Sequence, residues 1–342
     1  MLVTFGKIGD NGCMSSTANV LVHASQFPEA VRCDLLESLR TRRINHKFHY
    51  DSVKQTQKWL ALHQAYAPSR NDAEAQAIYD KAFAAAVGQV SAPKVAVVGL
   101  GCGGGQKDTR LLKLLTAKGK QVAYVPSDVS AAMTLVARQT AGTVVSEDQC
   151  FPLVCDLVTA TDLPAVLDKL YSPGSVRILT FFGMIPNFEP DDIVPKLAAL
   201  LRPGDALLFS ANLAPGTDYA AGVQRVLPQY DNPLTRDWLM SFLTDLGVGR
   251  DLGEIRFIIE DAQGLKRIVA GFHFLGDCRV QVDSETFEFR TGESIRLFFS
   301  FRHTPALVRT ILAPHGLRVL GEWIASSGEE GVFLVVRAEK GH

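Results

Sequence analysis

VAVVGLGCGGGQKDTRLL, Val95 to Leu112, decides the fold. Its opening run of β-branched and small apolar residues, Val95 to Leu100, has the length and composition of a buried strand. Glycines crowd the strand's exit at Gly99, Gly101, Gly103, Gly104 and Gly105. They let the main chain turn sharply and approach a ligand, while the helix predicted from about Lys107 offers free N–H groups at its start. Gly99, Gly101 and Gly104 satisfy the GxGxxG spacing of dinucleotide sites, so the loop alone leaves a nicotinamide or flavin enzyme open.

Downstream, the same alternation of short apolar runs and amphipathic stretches continues. VAYVPS (Val122 to Ser127) predicts a second strand with a helix from Ser130, and PLVCDL (Pro152 to Leu157) a third. VRILTFF (Val176 to Phe182) and ALLFSAN (Ala206 to Asn212) follow, with helical spacing over Leu163 to Tyr171 and Asp191 to Leu201. LRPGD (Leu201 to Asp205) is a stop-and-turn signal. The pattern predicts an α/β doubly wound sheet with right-handed crossovers. The grammar then changes. RFIIE (Arg256 to Glu260), RIVAGFHF (Arg267 to Phe274), CRVQV (Cys278 to Val282) and TFEFR (Thr286 to Arg290) are separated only by turn residues, which predicts successive antiparallel hairpins. A helix near His303 to Leu312 and an antiparallel pair, Leu317 to Ile324 and Gly331 to Glu339, close the chain. In the first 45 residues or so, helical spacing occurs only over Pro28 to Thr41.

With 342 residues and 47% hydrophobic content, the chain can fill a large core. Its 35 basic and 36 acidic residues provide no broad positive field for phosphate backbones, so nucleic acid is not an expected partner. No run approaches the roughly 18 apolar residues of a membrane span, and the start carries no secretory signal, so the expected location is the cytoplasm. The six cysteines, Cys13, Cys33, Cys102, Cys150, Cys155 and Cys278, show no CxxC pair and no neighbouring histidine cluster; free thiols and no metal are expected.

Two features favour S-adenosylmethionine (SAM) over a dinucleotide. A terminal antiparallel pair suits the class I methyltransferase sheet better than a second dinucleotide-binding half. Asp156, ending the third strand, lies where an adenine amino group is read, with Leu157 beside the ring; Asp128, closing the second, is placed to accept the ribose hydroxyls in either class and does not separate them.

In this order, LGCGGGQKDTRLL, AYVPSDVS, VCDL, FFGMIPNFEPDD, RPGDALLFSANL and YDNPLTRDWLMSFLTDLGV resemble the histidine-specific methyltransferase family. The similarity resumes upstream at KFHYD (Lys47 to Asp51) and YAPSR (Tyr66 to Arg70). The resemblance implies a class I methyltransferase domain over 71–248 and 304–342, and a smaller α+β substrate domain over 1–70 and 249–303, with the active site between them. It places Gly101, Gly103, Lys107, Asp128, Asp156, Leu157 and the loop from Gly183 to Phe188 around SAM. Gly99 stands where the family usually has an acid.

The substrate side departs further. The family's ExSxK stretch, which grips an imidazole, reads Phe298, Ser300 and Arg302 in this chain. A pocket methionine becomes Ala270, a head-group asparagine falls at Thr235, the doubled tyrosine is Tyr66-Ala67, and Asn212 replaces an acid. An aromatic in place of a carboxylate removes the acceptor for an imidazole N–H, so histidine is not the expected substrate.

Methyl transfer is an in-line displacement that asks the protein for alignment, a dry site and a place for the amine's proton. Tyr66, Phe182, Phe188 and Tyr230 are candidates to face a sulfonium. Asp231 is a candidate to hold the amine or receive its proton, Asn187 to hydrogen-bond the acceptor or the methionine head group, and Ser300 and Arg302 to bind a carboxylate. His273 and His303 fit structural positions in or beside apolar strands. The expected activity is N-methylation of an amino acid or related small amine in secondary metabolism, by a monomer or homodimer. The alternatives are a SAM-consuming cyclase or lyase, a SAM-binding scaffold, and a nicotinamide oxidoreductase.

Overall fold

The computed structural model describes residues 17–66 and 72–338; Cys13 and Ala67 to Arg70 lie outside the described residues. Its main sheet is eight-stranded and contains β1 (Leu21–Val22), β2 (Lys94–Leu100), β3 (Gln121–Asp128), β4 (Leu153–Val154), β5 (Val176–Phe182), β6 (Ala206–Asn212), β12 (Leu317–Ile324) and β13 (Glu330–Arg337). The order across it is β1-β4-β3-β2-β5-β6-β13-β12. Strands β1 to β6 run parallel; β13 enters antiparallel to β6, and β12 pairs antiparallel with β13.

Central strands covered on both faces need apolar residues at successive positions rather than alternate ones. Accordingly Val95, Ala96, Val97 and Val98 are all buried, the odd positions packing against Leu111, Leu112 and Leu115, the even ones against Leu179, Phe181 and Leu207. The third predicted strand is much shorter than PLVCDL suggests. Only Leu153–Val154 hold the ladder, because the chain leaves it at Cys155 to carry Asp156 towards the cavity at the strand ends. Leu21–Val22 then covers the exposed side of this short strand, an addition that two residues of sequence do not announce.

A second unit contains β7 (Gly253–Ala262), β8 (Leu265–Phe274) and β11 (Ser294–Arg302), in the order β11-β8-β7, and the separate ribbon β9 (Cys278–Val282) with β10 (Glu285–Phe289). The predicted hairpins at DAQG and DSE form, with Gln263 (φ 53°), Gly264 (φ 73°) and Asp283 (φ 51°) supplying the left-handed turn residues. The predicted pairing of β8 with β9 does not. The free edge of β8 is taken by β11, which arrives from later in the chain with a bulge between Arg296 and Phe298. Helices Pro28–Thr41, Val53–Tyr66 and Pro233–Asp245 pack on this unit. Leu36, Leu39, Trp238, Leu239 and Phe242 share one core with Phe272, Phe274, Ile295 and Phe298.

One buried charge pair fixes the far end of the main sheet. Arg177 on β5 is fully buried and donates through Nε to Asp205 Oδ2 at 2.7 Å and through an η nitrogen to the carbonyl of Leu200, while its own N–H is accepted by Asp205 Oδ1. Removing one partner strands the other charge in a dry interior. Asp205→Ala is expected to lower unfolding free energy by about 3–5 kcal/mol, seen in urea titration as a lower midpoint with an unchanged slope.

Candidate active site

The carboxyl ends of β2 to β5 open onto a cavity of about 930 Å³, closed from the other side by residues 43–66, by Tyr230 to Trp238 and by β11. Crevices at this end are where open α/β sheets bind ligands.

At its floor, Gly101 (φ 67°), Gly103 (φ 50°) and Gly105 (φ 72°) are left-handed. A Cβ on Gly101 would lie 2.7 Å from Met184, and one on Gly105 2.8 Å from the Cα of Ala137. Asp128, at the tip of β3, reaches across: Oδ2 accepts the N–H of Gly103 at 3.1 Å and Oδ1 that of Ser130 at 3.0 Å. Burial pushes its carboxyl up to about 6, against the pull of those N–H groups. The helix Gln106–Ala117 begins one residue later. Lys107 lines the cavity, its Nζ 2.7 Å from the Tyr79 hydroxyl, which in turn donates to Glu330.

Gly99 has a structural counterpart that the sequence does not reveal. A Cβ there would lie 3.3 Å from Asp108 Cγ and closer still to Oδ2. The Asp108 carboxylate therefore occupies the space beside the strand end that a side chain at position 99 would need. It accepts from Tyr124 at 2.8 Å and Thr180 at 2.7 Å.

Asp156, Leu157 and Gly183 also line the cavity. Asp156 is already engaged: Oδ1 accepts the N–H of Val158 at 2.9 Å, and Oδ2 lies 3.5 Å from Lys47 Nζ. The buried Lys47 ammonium also pairs with Asp34. His46 packs edge-on against Phe188 at 4.6 Å, and burial holds its imidazole neutral, lowered to about 4. Gly183 (φ 71°) directs its N–H to Ser210 Oγ at 2.8 Å.

On the opposite wall stand Asn187, Tyr230, Thr235, Phe298 and Arg302, with Tyr66 at the end of its helix, half exposed. Asn187 donates through Nδ2 to the carbonyl of Phe299 at 2.7 Å, which fixes the amide. Phe298 lies 5.8 Å from Trp238 and 6.4 Å from Tyr230, ring to ring. Tyr230 donates to Ser300 Oγ at 2.9 Å and accepts from Arg302 at 2.9 Å.

Three sequence candidates stand elsewhere. Ala270 is the register partner of Phe298 on the neighbouring strand, fully buried and outside the cavity lining; Ser300 is likewise buried outside the lining and accepts from Tyr230. Asp231 is outside the cavity lining, turned to Arg236 at 2.5 and 2.9 Å, because the helix cap at Asn232 points the chain the other way. Asn232 itself lines the cavity and donates to Thr235 Oγ1 at 2.8 Å, so an asparagine does stand beside Thr235. His273 and His303 are not among the lining residues.

Lys47, His46, Trp59 and Asp108 also line the cavity, and no motif in the sequence marks them as doing so. KFHYD carries only a family similarity, and Trp59 reads as one apolar position on a helix; neither pattern says that the segment folds over the glycine loop. A Cβ on Gly103 would in fact lie 3.3 Å from the Trp59 ring.

A left-handed glycine turn under the carboxylate of the next strand, in a parallel sheet ended by an antiparallel pair, defines a class I SAM-dependent methyltransferase fold. Residues 31–337 match the family described as histidine-specific, SAM-dependent methyltransferases, and the chain belongs to that family. It is 27% identical over 258 residues to histidine N-alpha-methyltransferase of Mycobacterium tuberculosis, covering 70% of this chain and 75% of the relative. Among solved structures it is similar to magnesium protoporphyrin IX methyltransferase of Synechocystis PCC 6803 with bound S-adenosylhomocysteine (SAH) (TM-score 0.46, 14% identity, 86% of this chain and 98% of the other). Another is a SAM-dependent methyltransferase of Clostridium acetobutylicum (TM-score 0.43, 14% identity, 83% and 99%). The protein is a SAM-dependent enzyme, which sets aside the nicotinamide and scaffold readings. No helix among the described residues is long and apolar enough to cross a membrane.

The ionised form of Asp128 is the better acceptor for ribose hydroxyls. Its carboxyl is ionised above about 6, so affinity for SAH is expected to be full at neutral pH and to fall as the pH drops below that value. Asp128→Asn is expected to weaken SAH by about tenfold or more at neutral pH and to flatten the acid limb, both read by calorimetry.

Proposed function

We propose that this methyltransferase transfers its methyl group to the amine of an amino acid, or of a related small molecule, whose side chain is apolar or aromatic rather than imidazole. The observation that carries the reading is Phe298. It lines the cavity with Tyr230 and Trp238 and, with Ala270 beside it on the neighbouring strand, makes an apolar wall where an imidazole would require a carboxylate.

Arg302 supports an acid head group on the acceptor. The residue is 5% exposed, donates only to the neutral oxygens of Leu213 and Tyr230, and has an unpartnered Nε. Among the described residues no carboxylate lies within ion-pair distance of it. A buried guanidinium without a counter-ion favours an anionic ligand, and its fork suits a carboxylate.

SAM supplies an electrophilic methyl on a sulfonium. This chain's residues do the rest: the glycine loop and Asp128 hold the adenosyl part, and Phe182, Phe188 and Tyr230 line the site with aromatic rings. Asn187, held by Phe299, keeps its amide oxygen for an amine N–H. With the amine and sulfonium aligned, no metal is needed. The division into a methyltransferase domain (71–248 and 304–342) and a substrate domain (1–70 and 249–303) belongs to this reading; the helix Pro233–Asp245 packs in the core of the second.

Incubation with SAM and a panel of amino acids, with products identified by mass, tests the reading. SAH and a methylated product are expected with an aromatic or apolar amino acid and not with histidine. The decarboxylated amine of the best acceptor is expected to lose about 10–100-fold in kcat/KM, the value of a charged hydrogen bond. Phe298→Glu is expected to depress the native acceptor and raise histidine turnover. Methylthioadenosine formed without any acceptor would instead mean cleavage or cyclisation of SAM.

A further inference from the structure

Asp108 is a cavity carboxylate to which neither the family resemblance nor the acceptor reading gives a part. It sits in the first turn of the helix after the glycine loop, is buried, and lies between β2, β3 and β5. Its oxygens each accept one hydroxyl, from Tyr124 and from Thr180. An ionised carboxylate offers about four acceptor directions, so two hydroxyl donors leave capacity for a third partner. No lysine or arginine lies within ion-pair distance of it among the described residues, although Lys107 precedes it in the chain. A buried carboxylate held by two neutral donors gains most from a cationic ligand, and burial has pushed this one up to about 6.

The position specifies the cation. With Asp128 at the end of β3 and Asp156 after β4 taking the ribose and adenine, as the family resemblance implies, the amino-acid arm of SAM runs the other way, past the end of β2 towards Gly183 after β5. Asp108 lies along that path. The arm ends in a zwitterion, and Lys107 and Asp108 offer successive opposite charges on the same helical turn. We propose that Asp108 binds the α-ammonium group of the cofactor's amino-acid arm, reaching from the helix into the space that Gly99 leaves free at the strand end. The assignment rests on the SAM cofactor and is independent of the methyl acceptor.

Two ligands separate binding from mere support of the loop. SAH carries the aminobutyrate arm; 5′-methylthioadenosine shares the adenosyl part and lacks the ammonium and carboxylate. Asp108→Asn in the full chain is expected to raise the Kd for SAH about tenfold or more and to leave that for methylthioadenosine within about twofold. Retained methylthioadenosine binding also reports an intact loop. Removing Asp108 makes room for a side chain at position 99, so Gly99→Asp in an Asp108→Ala background is expected to recover part of the preference for SAH. Equal weakening of both ligands by Asp108→Asn would make the residue a structural tie and overturn the proposal. So would unchanged SAH binding, or a selective loss seen with Glu330→Gln and not with Asp108→Asn. None of these measurements needs an acceptor, so failure of the acceptor reading leaves their outcome untouched.

Discussion

The turn from β2 into its helix is a constraint on which the rest of the site depends. Gly101, Gly103 and Gly105 all occupy the left-handed region, where an L side chain costs about 1–2 kcal/mol per residue. Contact adds to that cost, since Met184 and Ala137 fill the places their Cβ atoms would take. With the turn so tight, the N–H of Gly103 meets the carboxylate of Asp128 on the neighbouring strand. That bond, together with the Cys102 N–H donated to the Ser127 carbonyl at 2.9 Å, joins the loop to β3, and with the Ser130 N–H it holds the carboxylate at the cavity floor.

Around that turn, charge placement distinguishes the two walls. On the glycine-loop side, carboxylates already have partners: Asp128 has backbone N–H groups, Asp108 has hydroxyls, and Asp156 has a backbone N–H and Lys47. On the opposite side the buried charge is a cation, Arg302, among neutral oxygens and aromatic rings. Carboxylates thus gather under the glycine loop, with Lys47 and Lys107 beside them, while a guanidinium without a carboxylate partner among the described residues stands across from it. A cationic sulfonium and an acceptor with an acid group are complementary to that arrangement. Lys47 has a double role, since its pairs with Asp34 and Asp156 tie the N-terminal segment to the edge of the main sheet.

The parallel strands were legible because burial on both faces demands unbroken apolar runs: Val176–Phe182 and Ala206–Asn212 are strands over the residues their sequences predict. The two-residue β1 was not, and β4 keeps only two residues of its predicted run, because so short a strand exists only through its neighbour's hydrogen bonds. Pairing of β8 with β11 instead of β9 was hidden for a related reason. Turn residues suggest which neighbours in sequence can pair, but a strand arriving from elsewhere competes for the same edge.

The glycine spacing, the acids closing the early strands and the ordered motifs by themselves determined the fold class, the cofactor and the family, because backbone geometry and cofactor chemistry require those residue types at fixed offsets. Only the tertiary structure decided which side chains meet. It turned Asp231 outward to Arg236, put Ser300 behind Tyr230 and left Arg302 without a counter-ion among the described residues. It also brought Asp108 to the space beside Gly99. Those outcomes depend on helix caps, strand register and packing between segments far apart in the chain, and local spacing carries no information about them.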